Sequence, residues 1–222
     1  MTIVVACATV IEEMLPLLPP CMGHKVLDFG LHTDPARLRR ALQEAIDEAE
    51  TDPGVDTIIL GYGLCSQGVI GLKSTHSTLV VPKVDDCISI FLGSSAAYRA
   101  QTRSEPGTYY LTKGWIEVGE SPFSEHEKLV ERYGAKRAER VYQLMLKNYT
   151  RLALINTGQY EIERYRDHAR RTAKRFSLRY EEIEGSTELV TKMIKGPWDE
   201  EFVVVQPGEV IMLDHFFAHR SD

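Results

Sequence analysis

Thr57-Ile58-Ile59-Leu60-Gly61-Tyr62-Gly63-Leu64-Cys65-Ser66-Gln67-Gly68 is the stretch on which the fold turns. Its first four residues form a short apolar run rich in β-branched side chains, the signature of a buried strand. The chain then enters a turn rich in glycine, with a cysteine inside it. Glycine at alternate positions frees the backbone for unusual φ and lets another group approach closely. A thiol held there points past the C-terminal edge of the strand, where open α/β sheets bind their ligands.

Upstream, Ile3 to Ala6 is a second continuous apolar run, as expected of a strand covered on both faces, and it ends at Cys7. Thr9 is expected to cap a short helix through Glu12 and Met14, which Pro16, Pro19 and Pro20 stop. Lys25 to Phe29 reads as a further strand. Asp34-Pro35 is a helix start, with Leu38, Ala41, Leu42, Ala45, Ile46 and Ala49 on one face. Downstream, Thr78 to Val81 is the next strand, and Asp85 or Asp86 is placed to cap a short helix with Cys87 in its first turn. Thr108 to Leu111 reads as a strand.

Alternation of strand and helix means a parallel sheet with crossover helices. A different texture covers residues 119–149. There Ser124 and Glu127 form a capping box, and Ala138, Val141, Tyr142 and Met145 mark a second helix. The strand–helix rhythm then resumes through Leu152 to Asn156, Arg179 to Ile183 and Phe202 to Val205. The expected architecture is α/β: two Rossmann-like halves, mostly parallel, with a helical insertion between them. The expected division is an N-terminal lobe at 1–118, a helical connector at 119–149 and a C-terminal lobe at 150–222.

Composition narrows the class. The 26 basic residues against 32 acidic give a net charge of −6, and no basic block with interleaved aromatics occurs, so nucleic acid is not an expected partner. No segment approaches the ~20 apolar residues of a membrane span. The N-terminus lacks a basic region, and Glu12 and Glu13 follow closely, so a cytoplasmic protein with reduced thiols is expected. Four cysteines in that setting are core, catalytic or metal-binding residues.

Cys7, Cys65 and Cys87 each follow a strand, so in a parallel sheet their loops open on one edge. Three soft thiolates meeting there suit zinc or an iron–sulfur cluster, with a coordination position left for a small-molecule ligand. Two other readings stand beside this one. Two opposed thiols can serve a metal-free enzyme acting on a small carboxylate, as in a racemase built of two α/β halves. Alternatively, the cysteines are small hydrophobes of a binding module.

Gly61-x-Gly63-x-x-Ser66 resembles a dinucleotide fingerprint without its third glycine. Backbone N–H groups over Gly63 to Gly68, or at Gly93-Ser94, are candidates for holding a phosphate or carboxylate. The candidate cofactor-binding residues are thus Gly61, Gly63, Ser66, Gly68, Gly93 and Ser94. Trp115 reads as core packing. His215 and His219 are spaced i, i+4; a metal pair, a mobile tail and a contact in a homo-oligomer all suit that spacing.

Gly61-Tyr62-Gly63-Leu64-Cys65-Ser66, with Gly68-Val69 and Gly71-Leu72, resembles the central motif of the DUF1638 proteins. So do Asp86-Cys87-Ile88 with Leu92-Gly93-Ser94 and Tyr98, and Pro106-Gly107-Thr108-Tyr109-Tyr110 running to Gly114-Trp115-Ile116-Glu117. The pattern's Pro-Arg is Pro82-Lys83 here, which replaces a bidentate fork with a point charge. The resemblance carries over no catalytic residues. It implies a setting of corrinoid-linked methyl or one-carbon metabolism, with a corrinoid as a further candidate cofactor.

Overall fold

The structure, a computed structural model, describes residues 1–118 and 129–217. Strands β1 (Thr2–Cys7), β3 (Thr57–Gly61) and β4 (Thr78–Pro82) are the apolar runs read from the sequence, and their central residues are fully buried. With β2 (Gly23–Leu27) and β8 (Phe202–Val205) they form a five-stranded sheet in the order β2-β1-β3-β4-β8. All pairs are parallel except β4 with β8. Helix α1 (Ala8–Met14) follows β1, and α2 (Pro35–Ala49) crosses from β2 to β3. The Asp34 carboxylate accepts from the N–H groups of Ala36 and Arg37, and Leu38, Leu42, Ala45 and Ile46 form the buried stripe of α2.

A second sheet, β5-β6-β7, is wholly parallel: β5 (Thr108–Leu111), β6 (Arg151–Asn156) and β7 (Arg179–Glu184). Between β4 and β5 lie α3 (Cys87–Phe91) and α4 (Ser95–Ser104); α5 (Lys113–Val118) follows β5. Helices α6 (Ala135–Leu146) and α7 (Ile162–Arg175) precede and follow β6, and α8 (Glu188–Lys195) leads towards β8. Tyr142 and Leu146 of α6 share a core with Leu152 and Leu154 of β6. The helix between the sheet strands thus works as the crossover that a parallel β5–β6 pair requires.

The sheets exchange strands across the two halves. β5 lies before residue 118 yet pairs with β6, and β8 lies after residue 150 yet closes the first sheet against β4. The sheets also share packing, since Ala153, Ile155 and Ile183 of the second join the core of the first. Glu13 of α1 accepts a hydrogen bond from Thr157, at the end of β6, at 2.5 Å. The Cα of Thr9 would lie only 2.8 Å from a Cβ on Gly114, so α5 sits directly on α1.

Several local expectations are corrected. Thr9 lies inside α1, and Cys7 occupies the capping position without a side-chain cap bond. β2 ends at Leu27, because the Asp28 carboxylate accepts from the Gly30 N–H and starts a 3-10 turn over Phe29–Thr33. The buried stripe of α6 is Ala138, Tyr142 and Leu146, while Val141 and Met145 face outward. His215 lies in a 3-10 turn, Leu213–Phe216, and its Nδ1 accepts from the Met212 N–H. His219, Ser124 and Glu127 lie outside the described residues. Among the described residues no helix is long and apolar enough to cross a membrane.

Candidate functional site

In the order β2-β1-β3-β4 the chain leaves β1 towards one side and β3 towards the other, so their loops part and leave a crevice at the C-terminal edge. Ala6 of β1 pairs with Gly61 of β3 at this edge. A Cβ on Gly61 would stand 2.6 Å from that of Ala6, so only glycine lets the strands end this close together.

Beyond Gly61 the backbone is strained. Cys65, Ser66 and Gln67 are consecutive left-handed residues, with φ of 46°, 55° and 69°. Outside glycine that conformation costs about 1–2 kcal/mol per residue, and it persists only where the surroundings impose it. The constraint here comes from the loop after β4. The Leu64 and Cys65 N–H groups donate to the carbonyls of Val84 (2.8 Å) and Asp85 (3.0 Å). Gly63 lies so close that a Cβ would be 2.8 Å from the Val84 oxygen. That same loop carries Cys87, the first residue of α3, which Asp86 caps by accepting from the Ile88 N–H at 2.9 Å.

The result is a cavity of about 340 Å³. Cys7, Cys65 and Cys87 all line it, each from a different strand end. Tyr62 lies with them, and Phe29 and Trp115 add aromatic surface, packed edge to face at 6.2 Å. Asp85, Asp86 and His32 complete the lining. His32 is exposed and its Nδ1 bonds the Phe29 carbonyl, which leaves Nε2 free of that bond. The fourth cysteine, Cys21, is exposed and lies away from the cavity lining.

Burial controls the chemistry of the thiols. It raises Cys7 above the ordinary thiol range. It pushes Cys65 up to about 12, with the neighbouring Cys7 and Asp86 adding to the effect. Cys87 is raised well above its usual value by burial, then by Cys65, Asp86 and Cys7. The three are therefore neutral thiols at pH 7, and they are near enough to oppose one another's ionisation. Tyr62 is only 3% exposed and its hydroxyl has no hydrogen-bond partner, although buried hydroxyls almost always find one. Burial and the three cysteines raise its pKa. Burial also raises Asp86, against hydrogen bonds from Ile88, Ser89 and the Tyr98 hydroxyl.

Of the residues expected to cradle an anion, only Gly61 and Ser66 line the cavity. Gly63 is a packing contact, and Gly68 is pressed against the Leu38 side chain, where a Cβ would lie at 2.6 Å. The Gly68 N–H donates to Cys65 and the Gly93 N–H to Ile90. Gly93 takes φ of +83° against Ser186, and Ser94 caps α4 by accepting from the Ala97 N–H. These N–H groups serve the fold. No Lys or Arg is found in the cavity lining to hold an anion.

As the side chains stand, the described residues contain no group of three or more His, Cys, Asp or Glu that could hold a metal ion. Sequence reasoning missed Phe29 and His32, for which no motif or spacing gave a signal. It assigned Trp115 to the core alone, whereas Trp115 both packs on Phe91 and faces the cavity.

Comparison with curated proteins and with solved structures finds no match. The family model described as "Protein of unknown function (DUF1638)" matches residues 26–194. That span contains the glycine turn, Cys65, Cys87, Phe29, His32 and Trp115, and leaves Cys7 outside it. Because the match covers well over half of the 222 residues, the chain belongs to the DUF1638 family.

Proposed function

We propose that the cavity is a binding site for a thiophilic metal centre, zinc or an iron–sulfur cluster, held by Cys7, Cys65 and Cys87. One observation carries this reading: three of the four cysteines line one cavity from three separate strand ends. The strained turn at Cys65–Gln67 and the unpartnered Tyr62 hydroxyl add to it, since strain and unsatisfied buried groups mark functional sites more often than plain cores. Coordination requires the thiols to turn about their Cα–Cβ bonds towards a common point and to lose their protons.

A cavity of about 340 Å³ has room for an ion and a small molecule together. Zinc under three thiolates keeps a fourth position for a substrate thiol, and a cluster keeps one open iron. Such a centre suits an enzyme or accessory factor of methyl or one-carbon transfer, the setting that the family resemblance implies. The metal-free reading, with two thiols trading a proton on a small carboxylate, is the weaker one. It needs thiolates, which the buried cavity disfavours, and the lining offers no cation for a carboxylate.

The test is metal and sulfide analysis of protein purified without oxygen, with a Cys65→Ser variant alongside. About one zinc per chain, or iron with matching sulfide, lost in the variant, is the expected result. A folded wild-type protein that takes up neither metal overturns the proposal.

A further inference from the structure

We infer that the small molecule sharing this cavity is an organic cation, a substituted ammonium group held against aromatic faces. The inference rests on the reading of the cavity as a ligand site, and it adds the class of ligand. Three observations lead to it. The charged groups in the lining are Asp85 and Asp86, with no Lys or Arg among them, and Asp28 lies near enough to act on Cys7 and Tyr62. Phe29, Tyr62 and Trp115 contribute aromatic rings, whose faces attract ammonium groups once water is excluded. The buried hydroxyl of Tyr62, a residue of the lining, is left without a partner, an unsatisfied polar group at the site. Two carboxylates and three aromatic rings in the lining, with no Lys or Arg beside them, make a site that repels anions and accepts cations. A metal under three thiolates would itself carry net negative charge and would strengthen that preference.

The chemistry is read with three probes of one shape: choline, the neutral 3,3-dimethylbutan-1-ol and the anionic 3,3-dimethylbutyrate. Binding of each to the whole protein is measured by titration calorimetry at low ionic strength. Choline is expected to bind about tenfold or more tighter than the neutral alcohol, and the anion not at all. Equal or tighter binding of the alcohol, tighter binding of the anion, or no binding of any probe overturns the inference. Replacing Asp85→Asn and Asp86→Asn together is expected to shrink the ratio, because asparagine retains the capping ability of aspartate while the charge is lost. An unchanged ratio in that folded variant also counts against it. If the double variant does not fold, Trp115→Leu takes its place, with the same expected loss. The titrations are repeated on chelator-treated protein. A preference that survives in protein shown to take up no metal sinks the metal proposal alone; a metal-loaded protein with no preference sinks this inference alone.

Discussion

Gly63→Ala tests whether the contact between two loops builds the site. A Cβ at Gly63 would lie 2.8 Å from the Val84 oxygen, 2.9 Å from the Asp86 nitrogen and 3.0 Å from the Asp86 Cα, against 3.4 Å or more in ordinary contact. All three atoms are backbone, so no side chain can swing aside. The loops must part by roughly half an ångström, and overpacking of this kind costs about 1–3 kcal/mol. Two hydrogen bonds span the gap, Leu64 to Val84 and Cys65 to Asp85, and weakening both adds up to about 2 kcal/mol. Lower entropy of the unfolded chain offsets about 0.4–1 kcal/mol. A net loss near 2 kcal/mol is expected in urea unfolding. Alkylation of Cys65 and Cys87, followed by mass spectrometry, should quicken several-fold as the cavity opens. Gly158→Ala is the control: Gly158 has φ of +74° and nothing within 4 Å of an added Cβ. It should cost about 1 kcal/mol of backbone strain and leave the thiols protected. A Gly63→Ala protein as stable as wild type, with thiols equally protected, refutes the reasoning.

Two further outcomes follow from burial and hydrogen bonding. Wild-type protein treated with iodoacetamide at pH 7.5 should label the exposed Cys21 first, with Cys7, Cys65 and Cys87 about tenfold slower or more, because burial keeps them as thiols; Cys65 labelling as fast as Cys21 contradicts this. Glu50, whose side chain is 6% exposed, accepts from Ser74, Thr75, His76 and Ser77, so Glu50→Gln should cost about 2–3 kcal/mol at pH 7. Burial alone would raise its carboxyl, but the Ser74, Thr75 and His76 donors outweigh that and hold it well below the usual carboxylate range. Its stabilisation is therefore present above the unfolded value of about 4.3 and is lost as pH falls towards the folded one. Urea melts should show the wild-type advantage narrowing below about pH 4, and an advantage that widens there would contradict the assignment.

Strands β1, β3 and β4 of the first sheet were legible because they are buried on both faces and so read as continuous apolar runs, and the turn at Gly61–Gly68 announced its own close approach. The meeting of Cys7, Cys65 and Cys87 followed from strand direction alone, since parallel strands send their exits to one edge. Partner choice was not legible. Phe202–Val205 is an apolar run that would suit either sheet, and only tertiary packing assigns it to β4. The same holds for Thr108–Leu111, whose neighbour lies some forty residues on. Nothing in Cys65-Ser66-Gln67 signals left-handed backbone, because the conformation is imposed by Val84 and Asp85 and not by residue type. Phe29 and His32 reach the cavity through a turn begun by the Asp28 carboxylate, a local event with no periodic trace.

The return of β8 to the first sheet has a consequence for how the protein is made. On the ribosome β4 is finished at Pro82, but its neighbour begins only at Phe202. Elongation at ~5–20 residues per second leaves the open side of Leu79–Val81 waiting roughly 6–24 s for that neighbour. For that interval the nascent chain presents an unpaired apolar edge, the surface that holding chaperones bind and that partly made chains use to stick together. A chain truncated before Phe202 would keep the three cysteines and lose the strand that seals the sheet beneath them.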